Sequence, residues 1–376
     1  MTEALKAIGL MSGTSMDGVD VALITTDGTT ISGFGPTFSR PYTTAERQVI
    51  AEAVSQAPRI ADRADRTGIH GDAERVVTDA HAAAVSAFLS ENGMKPGDID
   101  VIGFHGQTIL HRPDQHLTVQ IGDGPALAAA TGCDVVYDFR DADVAAGGQG
   151  APFVPVYHLA LAGFSGLDLP VVIVNLGGVG NVTYLSADAP PLAFDTGPAN
   201  AMLDDWVSAR AGIPYDDGGR LSAAGRVDQA ALTELLGNPY FSAKPPKSLD
   251  RNDFSAAPIS SLSLQDGAAT LAAFTAETVA RAARWFAQPP RQWIVVGGGA
   301  NNPTLLSKLQ ERAGAPVTTG SALGWSGDHV EAQAFAYLAV RSLHGLPLTF
   351  PTTTGVPEPM TGGKLARSDT DDAERA

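Results

Sequence analysis

Residues 8–24 read IGLMSGTSMDGVDVALI, and residues 173–185 read IVNLGGVGNVTYL. Each is an apolar, β-branched run, a glycine turn carrying small polar residues, and a second apolar run: two strands joined by a tight turn. A strand–turn–strand unit that returns at the start of each half points to a duplicated architecture, with two unrelated hairpins as the alternative. Working outward, other strand-length runs also end in glycine or polar turns, as in DVIGFHGQT (100–108), CDVVYDF (133–139) and WIVVGGG (293–299). Between them lie Ala-rich segments with apolar residues three and four apart, namely 73–93, 267–290 and 330–345. These predict helices, each closed by Gly or Pro. Strands alternating with helices make the fold class α/β.

A chain of 376 residues exceeds what one hydrophobic core usually spans, so two domains are expected. The division falls at 1–135 and 136–376, with the last helix able to pack back on the first lobe. The polar tail from about Gly362 (GGKLARSDTDDAERA) reads as a frayed end. The Pro-rich, basic stretch FSAKPPKSLDRNDF (241–254) reads as a surface excursion or a substrate loop.

The net charge of −16 comes with no basic stripe, which argues against a nucleic-acid partner. Any site for an anionic phosphate must then be local, built from backbone N–H groups, a metal ion or single cations. The one cysteine, Cys133, stands in a short apolar run and reads as a buried structural thiol. No disulfide is possible within the chain, no signal peptide opens it, and no apolar run is long enough to span a membrane. A cytoplasmic protein is the expectation.

Six stretches could carry chemistry. GLMSGTSMDGVD (9–20) offers Gly13, hydroxyls on Thr14 and Ser15, and successive N–H groups suited to an anion. NLGGVGNVT (175–183) is a second such turn, and either alone reads equally well as a plain glycine hairpin. VVGGGANNP (295–303) ends a strand in three glycines, suited to a flat ring or ribose lying on the backbone. In AFDTGPAN (193–200), Asp195 is either a carboxylate exposed at a strand end or the cap of a helix starting near Pro198. Read alone, the residues favour the cap. DFRDADVAAGGQGAPFVP (138–155) puts Arg140 and Asp143 beside a glycine-rich loop able to bind a sugar, and FHGQT (104–108) adds His105 and Gln107. No Walker loop, dinucleotide fingerprint, His-based metal motif or G-x-S-x-G elbow occurs.

In this order, and joined by TVQIGDG (118–124) and by Glu331 in HVEAQAFAY, these stretches resemble the anhydro-N-acetylmuramic acid kinase family over nearly the whole chain. The resemblance implies the two-lobed actin/hexokinase-like fold, made of duplicated ribonuclease H-like domains around a cleft. It implies an ATP- and Mg²⁺-dependent transferase of cell-wall (peptidoglycan) sugar recycling, acting as a homodimer. Water opens the 1,6-anhydro ring, and O6 takes the γ-phosphate, giving N-acetylmuramic acid 6-phosphate and ADP. Carried onto this sequence, Gly13, Thr14, Ser15, Met16, Asp17, Gly18, Val19 and Asp20 meet the β- and γ-phosphates. Gly177, Gly178 and Asn181 form the second phosphate segment, and Gly297, Gly298, Gly299 and Asn301 the adenosine segment. Asp195 matches the catalytic base, and Glu331 a carboxylate that orders Mg²⁺-bound water or phosphates. His105, Gln107, Arg140, Asp143 and Asn200 fall on the sugar side. The chain departs from the family at Val179-Gly180, where some members carry a Phe-Ser type pair, and at Ala199, where a second glycine often stands.

Overall fold

The quoted hairpin forms as read. β1 (Leu5–Ser12) and β2 (Gly18–Thr26) pair antiparallel from Leu5↔Thr26 to Met11↔Asp20, leaving residues 13–17 as the turn. Their inward residues Ile8, Leu10, Val19, Val21 and Leu23 belong to one apolar core. The structure is a computed structural model describing residues 3–249, 253–327 and 329–368. It divides into two compact units, Met1–Phe164 with His329–Ala376, and Ser165–Asp328.

In the first unit the hairpin continues into β3 (Ile31–Pro41), and β1 pairs parallel with β4 (Val101–Arg112), which pairs parallel with β6 (Val135–Tyr137). β5 (Leu117–Ile121) folds back antiparallel on β4. One sheet face is covered by the helix Ile69–Glu91, whose Val77, Ala84 and Phe88 are fully buried. The other meets the helix Val330–Leu343 at a contact too close for side chains. A methyl on Gly9 would lie 1.7 Å from the Ala332 carbonyl oxygen, and one on Gly103 would lie 2.1 Å from that of Phe335. Gly9 and Gly103 are register partners on adjacent strands, so they form one flat seat for the helix backbone.

In the second unit β7 (Val171–Leu176), β8 (Val179–Leu185) and β9 (Leu192–Pro198) form an antiparallel meander. β7 pairs parallel with β10 (Gln292–Val296), and β10 with β11 (Val317–Thr319). The strand order β11-β10-β7-β8-β9 repeats the β6-β4-β1-β2-β3 of the first unit, with the same pairing senses. The duplication suggested by the two glycine turns is therefore present in topology, and the fold is α/β as the alternation predicted.

Two expectations need correcting. The tail is not frayed where it is described: Lys364–Ala366 adds a strand antiparallel to β6, and Ser368 N donates to Asp134. It fills the otherwise open edge of β6, and the Lys364–Asp138 ion pair at 2.7 Å accompanies it. The compact units also do not divide at residue 135, because β6 and the helix Pro155–Phe164 stay with the first sheet; the return of the Val330–Leu343 helix to that sheet was part of the expectation. Of the basic stretch 241–254, residues 250–252 lie outside the described residues.

Gly9→Ala should destabilise the protein by about 3 kcal/mol, since backbone atoms of a helix cannot shift aside for a methyl group. Gly33→Ala, where nothing lies within 4 Å, should stay within about 0.5 kcal/mol of wild type. Thermal unfolding of the three proteins side by side checks this, and equal midpoints would remove the glycine seat from the account.

Candidate active site

In the first unit, Ser12, Gly13, Thr14, Ser15, His105, Thr108, Arg140 and Glu331 help line a pocket of about 460 Å³. The glycine turn is held from behind. Gln107, fully buried, accepts from Ser12 Oγ at 2.6 Å and donates to the Gly13 carbonyl at 3.1 Å, while Ser12 Oγ also meets the Tyr42 hydroxyl at 2.9 Å. Gln107 therefore sets the turn's shape and its amide has no free end for a sugar. Beyond Gly13, only Ser15 Oγ comes within 4 Å of where a side chain would begin, so a ligand can approach the backbone. Met16 takes the left-handed conformation (φ 53°) that closes the turn and packs on the core. Asp17 accepts from Ser15 Oγ, Val19 is buried in the core, and Gly18 is crowded by the Arg40 carbonyl of β3. Of the predicted phosphate set, Gly13, Thr14 and Ser15 line the pocket; the rest shape it.

His105 and Arg140 act as a pair. The His105 ring Nδ1 lies 2.8 Å from the Gly106 carbonyl, which assigns the proton to Nδ1 and leaves Nε2 to accept from Arg140 Nε at 3.2 Å. Burial first, then the Arg140 charge, push the His105 pKa down to about 3, so the ring stays neutral near pH 7. Arg140 is lowered to about 10 by burial, against the pull of Glu331 and Asp143, and stays charged. Glu331 opens the Val330–Leu343 helix at the pocket rim. Its carboxyl is raised above the ordinary value by the protein packed around it, opposed by Arg140 and reinforced by Asp20. Asp20 itself accepts from Ser39 Oγ at 2.6 Å. Asp143 is only 1% exposed; it accepts from Gly150 N, Thr349 Oγ1 and Thr354 Oγ1, so it ties down the glycine-rich loop.

In the second unit, Asp195 lies within β9, and the helix Asn200–Ala211 starts after Ala199 without a side-chain cap. The cap reading thus fails. Asp195 Oδ2 accepts from Leu249 N at 2.8 Å, and burial pushes its carboxyl up to about 6 against the opposing Leu249 hydrogen bond and Lys247 charge. Asn181 stands opposite it on β8. The Gly177 and Gly178 carbonyls accept from the N–H groups of residues 199–201, which fixes that turn to the helix start. Asn200 Nδ2 donates to the Leu176 carbonyl at 2.8 Å, a structural bond. Gly297 sits at φ +77° with its side-chain direction filled by Asn175 Oδ1, so no other residue fits there. Gly299 packs on Leu176. Gly298 and Asn301 line a pocket of about 440 Å³ together with Asn200, Tyr215, Asp216, Asp217 and Gly218. The loop Tyr215–Gly218 was missed from sequence, although its Asp-Asp-Gly-Gly run has the same turn composition as the motifs that were found.

Among the described residues, no cluster of three or more His, Cys, Asp or Glu is placed to hold a metal ion, and no helix is long and apolar enough to cross a membrane. Cys133 is buried and its thiol is pushed up to about 11, as a structural thiol should be.

Comparison with known proteins sets the class first: this is a kinase, a phosphotransferase. A family model described as anhydro-N-acetylmuramic acid kinase matches residues 5–367. The chain is 55% identical over 373 residues to the anhydro-N-acetylmuramic acid kinase of Methylobacterium nodulans, covering 96% of this chain and 100% of that one. It is also 55% identical over 364 residues to that of Nitrobacter winogradskyi, with the same coverage. The chain belongs to the anhydro-N-acetylmuramic acid kinase family. Among solved structures, xylulose kinase from Lactobacillus acidophilus aligns over 98% of this chain and 95% of that one at 9% identity and TM-score 0.48, a likeness too distant to argue from.

The raised Asp195 pKa has a signed consequence for stability. A carboxyl with a folded-state pKa near 6 against 3.8 unfolded contributes stability below about pH 4 that is lost as pH rises through 6. Asp195→Asn has no charge to bury. It should therefore exceed wild type in unfolding free energy by about 1–3 kcal/mol at pH 8, allowing for solvent screening, with the gap closing towards pH 4. Urea unfolding across that range tests it; a gap that does not change with pH would contradict the assignment.

Proposed function

We propose that this chain uses ATP to convert 1,6-anhydro-N-acetylmuramic acid and water into N-acetylmuramic acid 6-phosphate and ADP, in the recycling of cell-wall sugars. The observation that carries the reading is Asp195: a half-buried carboxylate within β9, one oxygen held by a backbone N–H, with a pKa near 6 suited to a general base at neutral pH. Asp195 takes a proton from water as the water oxygen bonds to the anomeric carbon. The bond from that carbon to O6 breaks, and O6 bonds to the γ-phosphorus as the bond to ADP breaks.

The other residues position and neutralise, which is most of what phosphoryl transfer asks of a protein. The reading assigns phosphate contacts to Gly13–Ser15 in one unit and Gly177–Gly178 in the other, and the nucleoside to the pocket lined by Gly298, Asn301 and Tyr215. Arg140, oriented by neutral His105, is the charged donor for the sugar. Mg²⁺ keeps most of its water and needs only one or two carboxylates. Asp20 and Glu331, close enough for one to raise the other's pKa, fit that need. When bound, the ion would neutralise charge on the transferring phosphate. The same reading makes the enzyme a cytoplasmic homodimer, and a lone, buried Cys133 agrees with a reducing compartment.

ADP release from ATP, Mg²⁺ and 1,6-anhydro-N-acetylmuramic acid tests the proposal. Wild type should be active, with rate falling below about pH 6, and Asp195→Asn should lose at least about 10²-fold. Activity on reducing N-acetylmuramic acid alone would replace the reading with a plain sugar kinase.

A further inference from the structure

β9 is an edge strand, and the part of the chain from Tyr240 to Leu249 is bonded to it around a single residue. Asp195 N donates to the Lys247 carbonyl at 3.0 Å, the Tyr240 hydroxyl donates to the Asp195 carbonyl at 2.7 Å, and Leu249 N donates to Asp195 Oδ2 at 2.8 Å. Both main-chain groups of Asp195 and one carboxylate oxygen are thus held by one segment. That segment is closed on itself by Lys247. Its Nζ donates to the Tyr240 carbonyl at 2.9 Å and stands 4.2 Å from the centre of the Tyr240 ring. The lysine lies half-buried against the same aromatic wall.

We propose that Lys247 is a positioning residue for this reaction: its main chain aligns Asp195, and its ammonium, held on Tyr240 inside the strap that binds Asp195, supplies local positive charge beside the base. The inference rests on Asp195 being the general base. The bonds of the strap to β9 are made by main-chain atoms and by Tyr240, and the closing bond from Lys247 to the Tyr240 carbonyl asks for a donor, not for a charge. Holding an ammonium in this half-buried place costs stability. Burial pushes Lys247 down to about 8, Arg284 pushes it the same way and Asp195 pulls it back, so it remains mostly charged at pH 7. Among the described residues, the other titratable groups facing the pair are Tyr240, whose hydroxyl is raised well above its ordinary value by burial, and Asp253. Neither offers a cation in place of Lys247, and Arg284 is felt at the lysine.

The test is the pH profile of kcat/KM for the full-length enzyme. In Lys247→Met the acid limb should move up by about one pH unit, with activity down about two-fold at pH 7 and about five-fold at pH 6, and largely restored at pH 8.5. Lys247→Arg should keep the wild-type limb. Should the Met variant fail to fold, Lys247→Gln, which keeps an uncharged N–H donor in the strap, should show the same shift. An unmoved limb in a folded neutral variant, with Asp195→Asn inactive, overturns the role of Lys247, as does an equal loss of rate at every pH. If Asp195→Asn is as active as wild type, it is the assignment of the base that falls instead.

Discussion

The first unit depends on a contact that contains almost no side chain. The backbone of the Val330–Leu343 helix rests on Gly9 and Gly103, two register partners on adjacent parallel strands. Interiors are packed tightly enough that the removal of two Cβ atoms decides how near a helix can lie to a sheet. The depth of that seat sets the place of Glu331 at the helix start, and with it the field felt by Arg140. The helix is rich in alanine where it meets the glycines, at positions 332, 336 and 339, so both partners are small at the same place.

Around that frame, the charged groups divide into those that are used up by the protein and those left with capacity. Asp143 is buried and fully occupied with local donors, and Gln107 likewise. Arg140 is lowered but remains charged because two carboxylates oppose its burial, while neutral His105 orients it without competing for its charge. In the second unit Asp195 and Lys247 are shifted towards each other in pKa, about 6 and about 8, each by desolvation and each restrained by the other. Perturbation of this kind destabilises the folded chain, and it gathers where chemistry needs a group poised near neutrality.

The order of the glycine turns along the chain was enough to read the class of fold and the family, because those turns need particular residue types at particular places. The turn at Gly13–Ser15 and the three glycines at 297–299 were legible, whereas Asp195, read as a strand-end carboxylate or a helix cap, lies in the middle of β9. What the sequence hid was the direction in which polar side chains spend their hydrogen bonds. Gln107 and Asp143 look like ligands for a sugar, but their partners come from Ser12, 95 positions away, and from Thr349 and Thr354, 206 and 211 positions away. No local pattern announces a bond over that distance. Lys247 was hidden for a related reason: in a Pro-rich basic stretch a lysine reads as solvated, and only the pairing of that stretch with β9 gives it a role. The end of the chain read as loose because composition alone cannot show that β6 offers an open edge to Lys364–Ala366.

The second unit is a single insertion in the order of synthesis, running from Ser165 to Asp328 inside the first. A ribosome therefore delivers β1 and β4 early but withholds the helix that covers their glycine face until residue 330 and beyond. The inserted unit has all its strands in hand by Thr319. Domains made vectorially usually mature from the N-terminus. Here the half that begins first is the half that must wait, with an apolar sheet face uncovered until the whole inserted unit has been made and the Val330–Leu343 helix follows it.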